Sequence, residues 1–203
     1  MQAAMEPFLN SSDVIDCGHP AVRAKAEELA QAASGVQGIA RRCFEWVRDT
    51  IQHSYDYERN PVTCSASEVL LAGTGYCYAK SHLLAALLRA NGIPAGFCYQ
   101  RLSLDETGPP FSLHGLNAVY LPEFGWYRMD SRGNKNGVDA QFCPPVERLA
   151  FKLSHPEERD FPEILAELLP VVVSALHSHQ TWDALYKNLP DWEFVSLPDG
   201  ANF

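Results

Sequence analysis

The sequence predicts an α+β domain. Helical periodicity fills the text from Pro20 to Gly92, strand-like text replaces it from Ile93 to about Phe142, and helical spacing returns after Glu147. The turning point is GTGYCYAKSHLLAALLRANG, residues 73–92, a glycine-rich loop running straight into an amphipathic helix.

The elements justify themselves in order. Residues 1–18 read as an irregular lead-in. Pro20 suits a first helical position, and PAVRAKAEELAQAAS carries strong helix formers to a Ser34-Gly35 stop. A second helix, about Val36 to Gln52, places Ile39, Cys43, Trp46 and Val47 on one face. Ser65-Ala66-Ser67-Glu68 is a capping box opening a short helix that Gly73 ends. The central helix starts at Cys77, carries Leu84, Leu87 and Leu88 on one face, and stops at Asn91-Gly92 before Pro94. IPAGFCYQRLSL is a first strand. LHGLNAVYL and GWYRMD flank the turn Pro122-Glu123-Phe124-Gly125 and form an antiparallel hairpin; VDAQF is a fourth strand. FPEILAELLPVVVSALHSHQ has helical spacing broken at Pro170, and TWDALYKNLP is a short last helix with Thr181 at its N-cap. The division expected is a core over 1–146 with N-terminal helices and a helical extension over 147–203 packed on it.

Composition narrows the function classes. The 203 residues are 46% hydrophobic, enough for one sizeable core. A net charge of −9, with no basic run longer than Arg41-Arg42, argues against a nucleic-acid partner. MQAAMEPFLNSSD has neither the basic nor the apolar part of a secretory leader, and LLPVVVSAL is too short to cross a bilayer. Six cysteines without a CxxC pair are expected to stay reduced, so the expected setting is cytoplasmic.

The chemistry centres on Cys77. A thiol in a first helical turn meets unpaired backbone N–H groups and the positive end of the helix dipole, which favour a thiolate. The plain alternative, a small buried apolar residue, stands level with it on this stretch alone. Gly73 and Gly75 leave room for a substrate to approach the sulfur. A nucleophilic cysteine needs a base, and the base an orienting partner. His114 early in one strand and Asp130 at the end of the next supply both. Pairing about the 122–125 turn sets residue i against about 247 − i, bringing His114 within reach of Asp130.

The text ASEVLLAGTGYCYAKSHLLAALLRANGIPAGF, followed by HGLNAVYLPEFGWYRMDSRG, resembles the transglutaminase-like superfamily of papain-related cysteine enzymes. A Gly-x-Cys opens a leucine-rich helix that ends in Gly-Ile-Pro; a His begins a strand, and a Gly-Trp strand ends in Asp. The resemblance spans about residues 40–132. It implies a papain-like core in which the Cys-bearing helix packs on an antiparallel sheet. It also implies Cys77 as nucleophile, His114 as base and Asp130 as orienter. The implied activity is amide or peptide hydrolysis through a thioester, with acyl transfer to an amine as one alternative and a binding module that keeps the fold as another. No metal or organic cofactor is implied, and the partner is a peptide, protein or small amide.

Further candidates follow. The Cys77 backbone N–H is one oxyanion donor, with Gln52 or Tyr55 as a second. Tyr78 and Lys80 stand where many relatives carry an arginine or aspartate. Lys80, Arg128, Arg132 and Lys135 form a cation cluster if they converge, favouring an anionic substrate; scattered solvated charge is the alternative. His53, His82, His155, His177 and His179 have no metal-site spacing and are read as structural or solvated.

Overall fold

The computed structural model describes residues 2–105 and 107–191. The chain opens with short turns of helix, α1 (Gln2–Met5) and a 3-10 turn (Glu6–Leu9), where an irregular lead-in was expected. Helices α2 (Pro20–Gln31) and α3 (Gly35–Thr50) follow, then strand β1 (Gln52–His53), α4 (Ala66–Ala72), β2 (Thr74–Gly75) and the central α5 (Cys77–Ala90). Strands β3 (Ala95–Ser103), β4 (Phe111–Leu121) and β5 (Gly125–Met129) come next. The later elements are β6 (Gln141–Cys143), β7 (Val146–Arg148), β8 (Arg159–Asp160), α6 (Pro170–Ser178) and α7 (Trp182–Tyr186).

Helix α5 is the hub. Every residue from Cys77 to Arg89 is buried, so it has no solvated face. Each fully buried leucine among Leu83, Leu84, Leu87 and Leu88 contributes about 1.5–3 kcal/mol of apolar burial. Its polar side chains find internal partners. The Ser81 hydroxyl donates to the Cys77 carbonyl at 2.9 Å, and Arg89 donates to the carbonyls of Ala95, Asn10 and Ala166. His82 Nδ1 lies 2.8 Å from the Cys64 carbonyl oxygen. The Lys80 ammonium donates to the carbonyls of Ile51 and Arg48, orphan acceptors at the C-terminal end of α3. That burial costs the charged form. Desolvation first, and Arg132 next, lower the Lys80 amine to about 7.

The main sheet has the order β5-β4-β3-β8, antiparallel throughout. The β4–β5 register pairs Asn117 with Met129, so partners sum to 246, one residue from the sequence expectation. Gly115 on β4 sits directly against α5: a Cβ there would stand 3.0 Å from Tyr78 Cδ1 and 3.3 Å from its Cα. The Tyr78 hydroxyl donates to the Leu113 carbonyl, tying helix to strand beside His114. The opposite sheet face is also covered. Cys98, Leu116 and Ala118 are buried under Trp126, Leu149 and Ile164.

Two expected elements differ. The VDAQF strand does not join the main sheet; β6 pairs only with β7 in a separate hairpin. The stretch after Glu147 is not purely helical. Only Pro170–Ser178 of its helical-looking text forms a long helix, while β8 extends the sheet edge and Leu165 bridges to Phe97. Both amides of that bridge are used, Phe97 N–H to the Leu165 carbonyl at 2.8 Å and Leu165 N–H to the Phe97 carbonyl at 2.9 Å. An open sheet edge offers these bonds, and the segment satisfies them instead of its own 3.6-residue pattern.

Candidate active site

Cys77 is the first residue of α5, and its loop is held from behind. Ser65 and Glu68 form the full capping box of α4, and Gly73 closes that helix at φ 67°, a left-handed position that suits glycine. The backbone then pairs in parallel with β1, Gln52 with Thr74 and His53 with Gly75. Gly75 does not leave space for a substrate as expected. A Cβ there would meet Ala79 Cβ at 3.1 Å and Thr63 Oγ1 at 3.2 Å, so the protein's own atoms fill the gap.

The thiol, imidazole and carboxylate come together. His114 Nε2 lies 2.7 Å from Asp130 Oδ2, both side chains buried, and Cys77 is near enough to act on the imidazole's protonation. With Nε2 committed to Asp130, Nδ1 is the nitrogen left for sulfur. Asp130 is held in turn by two backbone N–H groups: Arg132 donates to Oδ1 at 3.1 Å and Ala150 to Oδ2 at 3.1 Å. Burial alone would push His114 down. The Asp130 carboxylate, then Cys77, outweigh it and raise the imidazole to about 10. Burial works against the Asp130 carboxylate too, but His114 and the two N–H groups hold it below its ordinary range.

Cys77 and His114 line a cleft of about 370 Å³ whose walls also include His53, Tyr76, Phe151 and Tyr186, with Asp130 buried behind His114. A second cavity of about 610 Å³ adjoins it and shares His53, Tyr55, Arg132 and Lys135. The Phe151 ring sits edge-on to His114, and Tyr55 stacks on Tyr186 at 4.4 Å.

The other sequence candidates fall in different places. Gln52 lines only the second cavity, away from Cys77. Tyr55 reaches the cleft but stacks against α7. Tyr78 lines the cleft with its hydroxyl already spent on Leu113. Three of the four cations, Lys80, Arg132 and Lys135, line the second cavity together, and Arg128 stands apart. Lys80 Nζ turns to the end of α3, and Arg128 pairs with Glu147 at 2.8 Å and Asp160 at 2.6 Å, away from the cleft lining. Arg132 and Lys135 do line the cleft, but Asp56 binds both, Arg132 Nη1 at 2.5 Å and Lys135 Nζ at 2.7 Å. The sequence reading missed Ala150 and Phe151, which lie beyond the strand ending in Asp130 and carry no local signal. It also dismissed His53. Among the described residues no group of three or more His, Cys, Asp or Glu could hold a metal ion.

The transglutaminase-like superfamily profile matches residues 23–131, more than half of the chain, and covers Cys77, His114 and Asp130. The chain belongs to the transglutaminase-like superfamily. A solved structure agrees on the fold of this superfamily member. A protein described as a candidate cysteine protease from Cytophaga hutchinsonii superposes with a TM-score of 0.54 at 20% identity, over 65% of this chain and 43% of that one. The periplasmic domain of TgpA from Pseudomonas aeruginosa gives a TM-score of 0.49 at 24% identity, over 64% of this chain and 47% of that one. This chain thus matches less than half the length of either protein. No curated protein matches it in sequence.

Proposed function

We propose that this superfamily member is a cysteine-dependent amide or peptide hydrolase working through a thioester. One observation carries the reading: a buried imidazole hydrogen-bonded to Asp130 and shifted by the neighbouring thiol that opens a helix. The Cys77 thiolate attacks the acyl carbon, forming C–S as the carbonyl π electrons move to oxygen. Collapse of that intermediate breaks C–N, and the His114 imidazolium gives its proton to the departing amine. Water then attacks the thioester, neutral His114 takes its proton, and the acid leaves as the thiolate returns. Asp130 keeps the ring in one orientation and steadies its positive form.

Acyl transfer to an amine is the second reading, favoured by the larger cavity that shares a wall with the cleft and offers room for an acceptor. A non-catalytic binding module has no use for the imidazole placed between sulfur and carboxylate. The substrate proposed is a peptide, protein or small amide. Six unpaired thiols support a reducing compartment such as the cytoplasm. No described helix is long and apolar enough to cross a membrane.

Intact-mass measurement after mixing with p-nitrophenyl acetate, then with a panel of amides and peptides, tests the reading. The expected result is an acyl adduct on Cys77 that Cys77→Ala abolishes and that decays in water. Faster decay with a primary amine, giving a new amide, selects transfer over hydrolysis. No adduct, or an adduct unchanged in Cys77→Ala, overturns it.

A further inference from the structure

A thioester mechanism needs two donors for the oxygen that becomes negative when the thiolate adds. The Cys77 backbone N–H is one, since the first N–H groups of a helix have no partner within it. The second donor must be close to the sulfur, shielded from water and uncommitted. Gln52 fails because it lines the wrong cavity, and Tyr55 is partly exposed and stacked on Tyr186.

We propose that His53 is the second oxyanion donor, an assignment that rests on the thioester reading above. Its position follows from the backbone. The β1–β2 pairing sets His53 against Gly75, two residues before Cys77, and Ser54 N–H donates to the Gly75 carbonyl at 3.1 Å. The ring packs edge-on against Tyr76, the residue before the thiol, with centroids 5.5 Å apart. His53 lines the same cleft as Cys77 and His114.

The side chain is also uncommitted. It is only 7% exposed, and its Nδ1 has no hydrogen-bond partner among the described residues. A buried polar atom without a partner is costly, and such a cost in a cleft wall marks a group kept open for a ligand. Asp56 Oδ2 stands 3.7 Å from Nδ1 and already binds Arg132. Burial first, and Arg132 next, hold the ring well below the ordinary histidine range, so it stays neutral. A neutral imidazole carries one N–H. With Nδ1 facing Asp56, the N–H required is the one on Nε2, across the ring, which meets the new oxyanion without competing with His114 for the thiol proton.

Two probes separate this role from a merely structural one. p-Nitrophenyl acetate acylates a thiolate through a tetrahedral oxyanion, whereas iodoacetamide alkylates it by direct displacement and forms none. His53→Phe keeps a ring against Tyr76 but has no donor; His53→Gln keeps a donor. The expected outcome for His53→Phe is acylation slowed about 100-fold or more, with alkylation within about twofold of wild type. His53→Gln recovers part of the acylation rate. Should the Phe variant fail to fold, His53→Ala against His53→Gln gives the same comparison. Equal losses with both probes make His53 a positioning residue for the thiol and overturn the assignment, as does an unchanged acylation rate. A wild-type protein whose Cys77 alkylates but never acylates removes the thioester reading itself, an outcome distinct from either.

Discussion

The ring of Phe151 stands edge-on to the imidazole of His114, with centroids 5.0 Å apart and planes at 87°. Phe151 lies beyond residue 131, where the family match ends, and the N–H of its neighbour Ala150 binds the carboxylate that holds the same imidazole. The guanidinium of Arg132 lies 5.5 Å from the other partner of this stack, the Phe151 ring. The segment after β7 therefore clips the imidazole–carboxylate pair and keeps water from it, which strengthens their attraction.

Phe151→Ala opens that clip. The expected result is a His114 titration moved down toward the ordinary imidazole range and a slower Cys77 reaction at neutral pH. NMR titration of the His114 ring in wild type and variant checks it; an unmoved titration removes the shielding role. Phe151→Leu, which keeps apolar bulk, restores most of the shift.

The pH dependence of stability has two opposed parts. His114 is raised from 6.5 to about 10 in the fold, so its contribution is fully present below 6.5 and is lost as pH rises through about 10. Lys80 is lowered from 10.5 to about 7, so the folded state sheds that proton first and stability grows as pH rises across the same window. In wild type the two slopes largely cancel. Lys80→Met leaves the His114 slope alone, and urea midpoints should fall from about pH 7 to pH 10. His114→Phe leaves the Lys80 slope, and its midpoints should rise from about pH 7 to about pH 8.5, below the range where the raised thiols of Cys43, Cys64 and Cys98 add a falling slope. Parallel curves for the two variants contradict the pairings that set these shifts.

Gly115→Ala tests the contact between helix and sheet. The added methyl meets Tyr78, which is 1% exposed and anchored through its hydroxyl. Overpacking of this kind costs about 1–3 kcal/mol, or a fall of roughly 2–12 °C in Tm for a chain of this size. Because residue 115 follows His114, the variant should also slow alkylation of Cys77. Differential scanning calorimetry with an alkylation assay checks both, and an unchanged Tm would mean that Tyr78 has room to move.

Much of this was legible in the text of the chain because the strongest signals are local. Asn91-Gly92 stops α5, the capping box starts α4, and a Pro-Glu-Phe-Gly turn folds β4 onto β5; each needs only neighbouring residues to act. The same turn placed His114 near Asp130 to within one residue of register. What escaped depends on distant partners. Residues 161–169 carry helical spacing, yet the unpaired edge at Phe97 recruits Leu165 into extended pairing. The cations looked free in sequence because nothing there places Asp56 between Arg132 and Lys135. His53 looked like one polar residue in a polar loop until the parallel pairing with Gly75 set it in the cleft wall.

The central claim is that His114, held by Asp130, keeps the Cys77 sulfur reactive at neutral pH. The most direct measurement is the second-order rate constant for iodoacetamide on Cys77 near neutral pH, in wild type and in His114→Ala. Wild type should react at least about tenfold faster, as expected for a thiol paired with a cationic imidazole. Equal rate constants in the two folded proteins would contradict the account.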